Sequence, residues 1–483
     1  MVSPPKTGPP PPGSRAVSTP TPTPALDSAS NPTPHPTPSV TPPQPMAAPS
    51  IPNLLGRLGN GPPRSGRGGR RGVGRGGSSL GGPTGSGPAR FAPPSQHGGG
   101  MPGKMDHSGI IQSTDTDAAL SRMSAVDLGL LQDPFAQYFA GDGGGPAPRR
   151  LPIINRGTYT RTQGLDKIIR AFLSGAPSRE TTPEPSPQAV QTPSPLHVRQ
   201  IVSLGAGTDT RSLRLLAQKL PDGHAAFQNV IYHEIDFPTV CARKRNIVQS
   251  VPAIRSLLEG PVTEHSPLAG AIGIHRSWRA GLGQGNELWA HGLDLRELAA
   301  GSGSSFSTNT TNSEKGRSDV VLAGFRTDVP TLLVSECCLC YLQPPEAAAV
   351  LRWFADRIHP QPASLAGLGV VIYEPIRPFD AFGRTMVANL AGRGIQMPTL
   401  AAYPDGAAQE ARLVQEAGLA RTKHRTIDQI WSAWVAAEEQ ERVNRLEGLD
   451  EVEEWGLLAS HYVVVWGSQG AYFDTAWAEL YEQ

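Results

Sequence analysis

The feature that most constrains the fold is a short apolar run that ends in a glycine turn. Residues 200–210 read Gln-Ile-Val-Ser-Leu-Gly-Ala-Gly-Thr-Asp-Thr, and a helical pattern starts directly after them. A buried parallel strand that runs into such a turn and then a helix lets a small ligand reach the backbone, because glycine has no Cβ to block it. The turn with Gly205 and Gly207 therefore predicts a site for a nucleotide-like cofactor.

Two details favour S-adenosylmethionine (SAM) over NAD as this cofactor. The NAD fingerprint needs a third glycine for close packing of strand and helix, and the position where it would fall is Thr210. SAM needs no phosphate site, but its ribose hydroxyls need an acidic residue at the end of the next strand. That strand, within 230–238, ends in Asp236, and Pro238 stops it. An Asp236 that only caps a turn is the alternative.

Composition limits how much of the chain is expected to be ordered. The 483 residues include 54 Gly and 49 Pro, and most of this excess lies in a few tracts. Residues 1–108 have too few large apolar side chains to offset the entropy of ordering, which predicts a disordered Pro/Gly/Arg-rich tail. The remainder, 109–483, suits one large α/β domain with low-complexity insertions near 175–195 and 301–318.

An arginine- and glycine-rich stretch lies inside this tail, at 66–77. It resembles the RGG segments that bind RNA loosely through charge and stacking. No aromatic residue is interleaved with the arginines. A low-complexity tail without a required partner is the favoured interpretation, and RNA binding is the alternative.

Charge, cysteines and hydropathy exclude several other classes. A net charge of +1 gives no strong field for nucleic acid or membranes, and neither is an expected partner. No secretory signal or membrane-length apolar run is present. Three of the four cysteines lie within 337–340, an arrangement typical of reduced buried thiols rather than of disulfides or a metal site. We expect a cytoplasmic monomer without a bound metal.

Helical and strand patterns alternate along the rest of the chain. Apolar residues at helical spacing predict helices at 120–130, 165–172, 213–220, 347–358 and 427–434. Asp115 and Asp117 predict that the first of these starts near Thr114. Strands are predicted at 200–204, 230–236, 288–293, 331–336, 369–374 and 462–466.

This alternation predicts a doubly wound, mainly parallel sheet with helices on both faces. Ligands of such sheets bind at the carboxyl ends of the strands. The glycine turn, Asp236, Asp294 and Glu336 all fall at predicted strand ends. We therefore expect them to form one site.

Several segments, in this order, resemble the leucine carboxyl methyltransferase family. They are 132–135, 154–161, the Gly205 turn, 234–238, 292–296 and 335–341. The resemblance, to the fungal type with a disordered tail, implies a class I SAM-dependent methyltransferase fold with extra N-terminal helices and a substrate lid. It also implies that the chain methylates the C-terminal leucine carboxylate of the protein phosphatase 2A catalytic subunit.

The resemblance assigns roles to residues on the cofactor side. Arg161 would meet the methionine carboxylate of SAM and Glu336 its amino group, while Gly205 would give access to the backbone. Asp236 would hold the ribose. Asp294 and Leu295 would contact the adenine. Arg122 stands where the family often has a lysine near the cofactor.

Each assignment has a plainer alternative. Arg161 would otherwise be a surface ion-pair partner, and Asp294 would be the N-cap of the next helix, which is compatible with cofactor binding. An unpartnered Glu336 at the end of an apolar strand would be costly, so a purely structural role is less favoured. On the acceptor side, Tyr341 lines the substrate mouth or is a half-buried aromatic residue. Arg156 serves the substrate carboxylate or only the structure.

Two competing functions remain open at this point. One is a methyltransferase of the same fold that acts on another carboxylate or on a modified tRNA base. The other is an RNA-associated protein that acts through its tail. Retention of Asp236 and Glu336 favours the enzyme.

Overall fold

The computed structural model describes residues 107–141, 149–175, 198–265, 276–301, 320–358 and 366–482. The expected tail therefore lies outside the described residues except for its last two positions, which begin the first helix. The RGG-like stretch also lies outside them. The two expected insertions are described only at their borders, at Gly175 and Gly301.

The fold is built on one mixed sheet of nine strands. In chain order these are β1 Arg199–Leu204, β2 Val230–Asp236, β3 Glu259–His265, β4 Arg276–Gly281, β5 Glu287–Gly292, β6 Pro330–Glu336, β7 Gly367–Pro375, β8 Arg421–Thr426 and β9 Tyr462–Gln469. Their spatial order is β3-β4-β5-β2-β1-β6-β7-β9-β8. The central strands β5, β2, β1, β6 and β7 pair in parallel, and the strands at both margins pair antiparallel.

Helices connect these strands and precede the first of them. Those before the glycine turn are α1 His107–Asp127, α2 Ala136–Phe139 and α3 Pro152–Ser174. Those up to β7 are α4 Arg211–Leu216, α5 Pro238–Ser250, α6 Pro252–Arg255, α7 Leu295–Gly301 and α8 Pro344–Ala355. The rest are α9 Ala381–Gly392, α10 Thr399–Ala402, α11 Gly406–Ala417, α12 Ile427–Trp434, α13 Ala437–Leu446, α14 Val452–Ala459, α15 Ala471–Ala476 and α16 Ala478–Glu482.

Apolar side chains from alternate strand positions feed two cores, one on each face of the sheet. Ile201 of β1 packs with Ile168 of α3 and Phe473 of α15 in the first core. The next residue of the strand, Val202, packs with Phe354 of α8 in the second. This period-two alternation is what a strand buried on both faces requires. The predicted doubly wound α/β architecture is thereby confirmed.

Two helix predictions need correction. α1 begins at His107, ahead of Asp115, and Asp115 lies inside the helix instead of capping it. The pattern over 213–220 forms a helix only to Leu216. Leu220 lies beyond it and is 46% exposed, in a turn where the Gly223 N–H donates to the Leu220 carbonyl at 2.9 Å.

The sequence patterns also miss the antiparallel margins. They do not predict β3, β4 or β8, and the last predicted strand, β9, runs antiparallel between β7 and β8. β3 is mostly exposed, so it lacks the apolar run by which buried strands are recognised. Among the described residues, no helix combines the length and apolar character needed to cross a membrane.

A buried polar chain crosses four adjacent strands of the sheet. Gln200 Oε1 lies 3.1 Å from His233 Nε2, and His233 Nδ1 lies 3.0 Å from His291 Nε2. His291 Nδ1 in turn lies 2.8 Å from the Ser277 hydroxyl. Burial, and then the neighbouring His291, lower the pKa of His233 well below its usual value. The folded protein therefore holds this imidazole neutral.

This arrangement predicts a specific loss of stability in mild acid. Because the pKa of His233 is depressed in the folded state, its contribution to stability is present above the unfolded pKa of about 6.5 and is lost as pH falls below it. Each unit of pH below this value lowers the free energy of unfolding by about 1.4 kcal/mol for one such histidine. Urea unfolding between pH 7.5 and 5.5 should show a shallower pH dependence for His233→Gln than for wild type. The exposed-site control His224→Gln should retain the wild-type slope.

Candidate functional site

The strand register brings the predicted site residues to one edge of the sheet. Leu204, the last residue of β1, pairs with Ile235 of β2 and with Ser335 of β6. The next residue along each strand is Gly205, Asp236 and Glu336, so these three lie side by side. On the far side of β2, Asp236 pairs with Gly292, two residues before Asp294. A cavity of about 330 Å³ opens above them, within the range for small-molecule sites.

The floor of the cavity is the glycine turn, where both glycines have left-handed backbone conformations. φ is 61° at Gly205 and 48° at Gly207. A Cβ at Gly205 would lie 2.5 Å from Cys338 Sγ, and one at Gly207 would collide with Asp115. Conformation and packing both require glycine here. The turn therefore presents bare backbone to the cavity.

Asp236 lines one wall of the cavity as a carboxylate with an unusual pKa. Its oxygens accept hydrogen bonds from the backbone N–H groups of Gly207 and Phe237, each at 2.7 Å. Burial raises the pKa of Asp236 to about 6, because desolvation and the nearby Asp115 outweigh the stabilising effect of the two N–H donors. Asp236 is thus ionised at neutral pH but protonated in mild acid.

Asp294 and Leu295 line the cavity at the start of α7. Asp294 accepts a hydrogen bond from the backbone N–H of Arg296 at 3.0 Å, and its carboxylate also pairs with the Arg296 guanidinium at 2.6 Å. Asp294 therefore acts as the helix cap that the alternative interpretation describes. Its position on the cavity wall is equally compatible with a ligand contact.

Opposite charges meet at the other end of the cavity. Arg161 of α3 and Glu336 at the end of β6 are 2.8 Å apart, and both line the cavity. A fully buried residue, Arg211, holds the second oxygen of Glu336 at 3.1 Å. The site therefore offers a cation and an anion at one point, with the anion anchored from behind.

Arg122 adds a further positive group beside the turn. It lines the cavity, pairs with Asp133 at 3.2 Å and lies 3.9 Å from Asp209. Burial on its own would raise the pKa of Asp209. The positive charges of Arg211, Arg122 and Lys244 have the larger effect and lower this pKa to about 2. Arg122 is thus fixed by buried carboxylates while one face remains on the cavity.

The structure separates the two residues predicted for the acceptor side. Tyr341 lines the cavity, and burial, followed by the nearby Cys340, raises the pKa of its phenol well above the usual value. Arg156 does not line the cavity. It stacks on Trp431 at 4.9 Å and donates a hydrogen bond to Asn444 at 2.6 Å.

Helix geometry explains why Arg156 and Arg161 do not act together. Five residues along an α-helix rotate the side chain by about 140°, so the two arginines of α3 point to different surroundings. Of the two alternatives for Arg156, the structural one fits its position. Burial also lowers the pKa of Arg156, although Glu447 opposes this.

Sequence reasoning missed two residues that shape the site. Arg211 lies at the start of α4 and reaches Asp166 at 3.1 Å and Asp209 at 2.5 Å as well as Glu336. Asp115 of α1 accepts hydrogen bonds from both the backbone N–H and the hydroxyl of Thr208. The helical register would have placed Asp115 on the face of Ala119 and Arg122, but nothing in the sequence connects that face to the turn.

Comparison with known proteins identifies the family. The family model described as Leucine carboxyl methyltransferase matches residues 110–355. The protein named Leucine carboxyl methyltransferase 1 of Aspergillus fumigatus is 42% identical over 447 residues, which cover 90% of this chain and 98% of that protein. The chain belongs to the leucine carboxyl methyltransferase family.

Two other proteins are similar to this member of the leucine carboxyl methyltransferase family. The human tRNA wybutosine-synthesizing protein 4 is 32% identical over 365 residues, which cover 75% of this chain but 44% of that protein. A solved structure titled Haemonchus contortus Phospholethanolamine N-methyltransferase 2, in complex with phosphomonomethylethanolamine and S-adenosylhomocysteine, is 10% identical with a TM-score of 0.33. That match covers 76% of this chain and 61% of the other.

The chain is accordingly a SAM-dependent methyltransferase, and carboxyl methylation is the activity of its family. The donor set of the cavity fits SAM. The zwitterionic methionine part of SAM needs a cation and an anion close together, and the cavity wall has the Arg161 guanidinium and the Glu336 carboxylate 2.8 Å apart. Its ribose needs a hydrogen-bond acceptor, and Asp236 ends β2, which is separated from the strand of Glu336 by β1. The bare backbone at Gly205 leaves room between them.

We expect Arg161→Ala to raise the dissociation constant for SAM at least tenfold. The substitution removes the guanidinium beside Glu336, so that a ligand carboxylate bound at this point would lose its charged partner. Isothermal titration calorimetry would measure the change. Arg445→Ala, at a side chain that is 70% exposed, should leave the constant unchanged. An unaltered constant for Arg161→Ala would refute the role.

We expect SAM affinity to fall as pH drops through about 6, the pKa of Asp236. Above that pH the ionised carboxylate accepts hydrogen bonds from ligand hydroxyls, and protonation removes one acceptor site. Titrations at pH 5, 6, 7 and 8 would record the profile. Asp236→Asn should bind more weakly at pH 7 and lose most of the step near 6, whereas a step that survives in this variant would point to another group.

Proposed function

We propose that this chain transfers the methyl group of SAM to the C-terminal leucine α-carboxylate of the protein phosphatase 2A catalytic subunit, and so forms a methyl ester. The observation that carries this proposal is the nearly full-length match to the Aspergillus fumigatus relative, combined with a cavity that fits the cofactor. The name of that relative specifies a leucine carboxyl group. That name does not specify the protein that carries the leucine, and we propose that this protein is the phosphatase 2A catalytic subunit.

Within this proposal each cavity residue contacts a different part of the cofactor. Arg161 binds the methionine carboxylate and Glu336 the amino group, at the point where the two side chains lie 2.8 Å apart. Asp236 binds the ribose hydroxyls, and Asp294 and Leu295 contact the adenine. Gly205 and Gly207 give the methionine chain access to the backbone. Arg122 lies beside the turn as a second cation.

The acceptor needs little activation. A leucine α-carboxylate is ionised at neutral pH, so no general base has to generate the nucleophile. SAM supplies an electrophilic methyl group and a neutral leaving group when it is bound. The task of the protein is to align the carboxylate oxygen, the methyl carbon and the sulfur in line and near contact. The cavity walls would also exclude water from the charged nucleophile.

Tyr341 is the described residue best placed to orient the acceptor. Its phenol lines the cavity beside Cys337 and Cys338, and its raised pKa keeps it neutral as a hydrogen-bond donor. One neutral donor orients a carboxylate without blunting its nucleophilicity as several cations would. Because Arg156 lies away from the cavity, we assign it no contact with the acceptor.

A tRNA acceptor is the less supported alternative. The chain matches nearly the whole Aspergillus fumigatus carboxyl methyltransferase but less than half of the human tRNA-modifying relative. No described feature of the cavity specifically favours a nucleic-acid acceptor.

The acceptor can be tested with labelled SAM. Purified full-length chain should label the phosphatase 2A catalytic subunit, and alkali should release the label because methyl esters are base-labile. Removal of the terminal leucine should abolish labelling, and Arg161→Ala enzyme should reduce it at least tenfold at limiting SAM. Labelling that persists without the terminal leucine would overturn the assigned acceptor.

A further inference from the structure

The first half of α1 covers the cofactor cavity without packing into the core. Ile111, Gln112, Thr114, Asp115 and Ala118 all line the cavity. Among the described residues of α1, buried apolar side chains occur only further along the helix, at Ala119 and Ala125. A segment with few buried apolar contacts opens at low free-energy cost. Polar contacts must therefore hold this half in place.

The most central of these contacts joins Asp115 to the glycine turn. Asp115 Oδ1 accepts the backbone N–H of Thr208 at 2.7 Å and the Thr208 hydroxyl at 2.7 Å. The two donors belong to one residue and converge on one carboxylate oxygen. Charge-assisted hydrogen bonds of this kind are about twice as strong as neutral ones. Asp115 also lies against Gly207, where a Cβ would collide with it.

Other contacts of the same segment lie nearer the rim of the cavity. Gln112 Oε1 accepts a hydrogen bond from the Thr239 hydroxyl of α5 at 2.9 Å, at an exposed position. The Thr114 hydroxyl donates to the Ile111 carbonyl at 2.7 Å, within the helix itself. An exposed neutral hydrogen bond competes with water and adds less stability than a part-buried charged one. Asp117, at the end of this half, pairs with Arg150 at 3.1 Å and with Arg393 at 2.5 Å, and it does not line the cavity. Among these attachments, the Asp115–Thr208 contact is the one that reaches the cofactor turn.

We propose that Asp115 is a positioning residue that latches the first half of α1 onto the cofactor turn through Thr208. The closed latch covers the bound cofactor and fixes the turn that contacts it. The cofactor leaves when the Asp115–Thr208 bonds break and the helix segment lifts. Asp115 thus controls the residence time of the cofactor without contacting the reacting atoms.

A double-mutant cycle on the full-length chain tests this latch. The readout is the dissociation rate constant of labelled SAM, chased with excess unlabelled S-adenosylhomocysteine and no protein acceptor. We expect Asp115→Ala, which removes both bonds, to raise this rate about tenfold, and Thr208→Val, which removes only the hydroxyl bond, to raise it by a smaller factor. The double variant should be no faster than Asp115→Ala. In methylation assays the same variants should raise KM for SAM and change kcat less than twofold.

Conservative variants separate a latch from a general structural role. Asp115→Asn keeps an acceptor oxygen and Thr208→Ser keeps the hydroxyl, so each should recover most of the wild-type residence time. Asp127→Asn is the matched control, because Asp127 ends the same helix at an exposed position outside the cavity lining. It should leave the rate unchanged.

Several outcomes would overturn the latch. These are unchanged dissociation in Asp115→Ala, additive effects in the double variant, and Asp115→Asn as fast as Asp115→Ala. If Asp115→Ala does not fold, Thr208→Val tests the hydroxyl bond from the other side, and failure of both to fold would show a structural role instead. Because no acceptor is present in the dissociation assay, its result is independent of the proposed phosphatase substrate.

Discussion

The site depends on one fully buried cation, Arg211. Its guanidinium joins Asp166 of α3, Asp209 of the glycine turn and Glu336 at the end of β6. Breaking such a buried ion cluster by removing one partner typically costs about 3–5 kcal/mol, since the remaining charge is left uncompensated. Helix, turn and strand are thereby held in fixed relation. Glu336 can face the cavity as a carboxylate because its charge is balanced from behind.

Local sequence carries enough information to predict the centre of the sheet. Around 200–210, 230–236 and 331–336, short runs rich in β-branched and other apolar residues end in glycine or an acid, and buried parallel strands have this signature. Parallel strands share a carboxyl edge, so the sequence alone is sufficient to place Gly205, Asp236 and Glu336 together. The cavity contains every predicted cofactor residue.

Contacts between residues distant in sequence cannot be predicted in the same way. In the sequence Arg211 resembles an ordinary helical arginine, because its three carboxylates come from separate parts of the chain. Asp115 resembles a helix cap, since α1 has little amphipathic pattern. Arg156 lies near Arg161 in sequence but on another face of α3, among tryptophans of α12 and α14. The surroundings of all three residues are determined by tertiary contacts.

The donors and acceptors of the buried polar chain from Gln200 to Ser277 all point the same way. Gln200 Oε1 accepts the backbone N–H of Arg326 at 2.9 Å, which fixes its amide as an acceptor towards His233 Nε2. His233 must then carry its proton on Nε2, so its Nδ1 accepts from His291 Nε2, and Ser277 donates to His291. Both rings are held in the same tautomer. The orientation of the Gln200 amide in β1 therefore determines the tautomers of His233 in β2 and His291 in β5, and with them the direction of the hydrogen bond from Ser277 in β4.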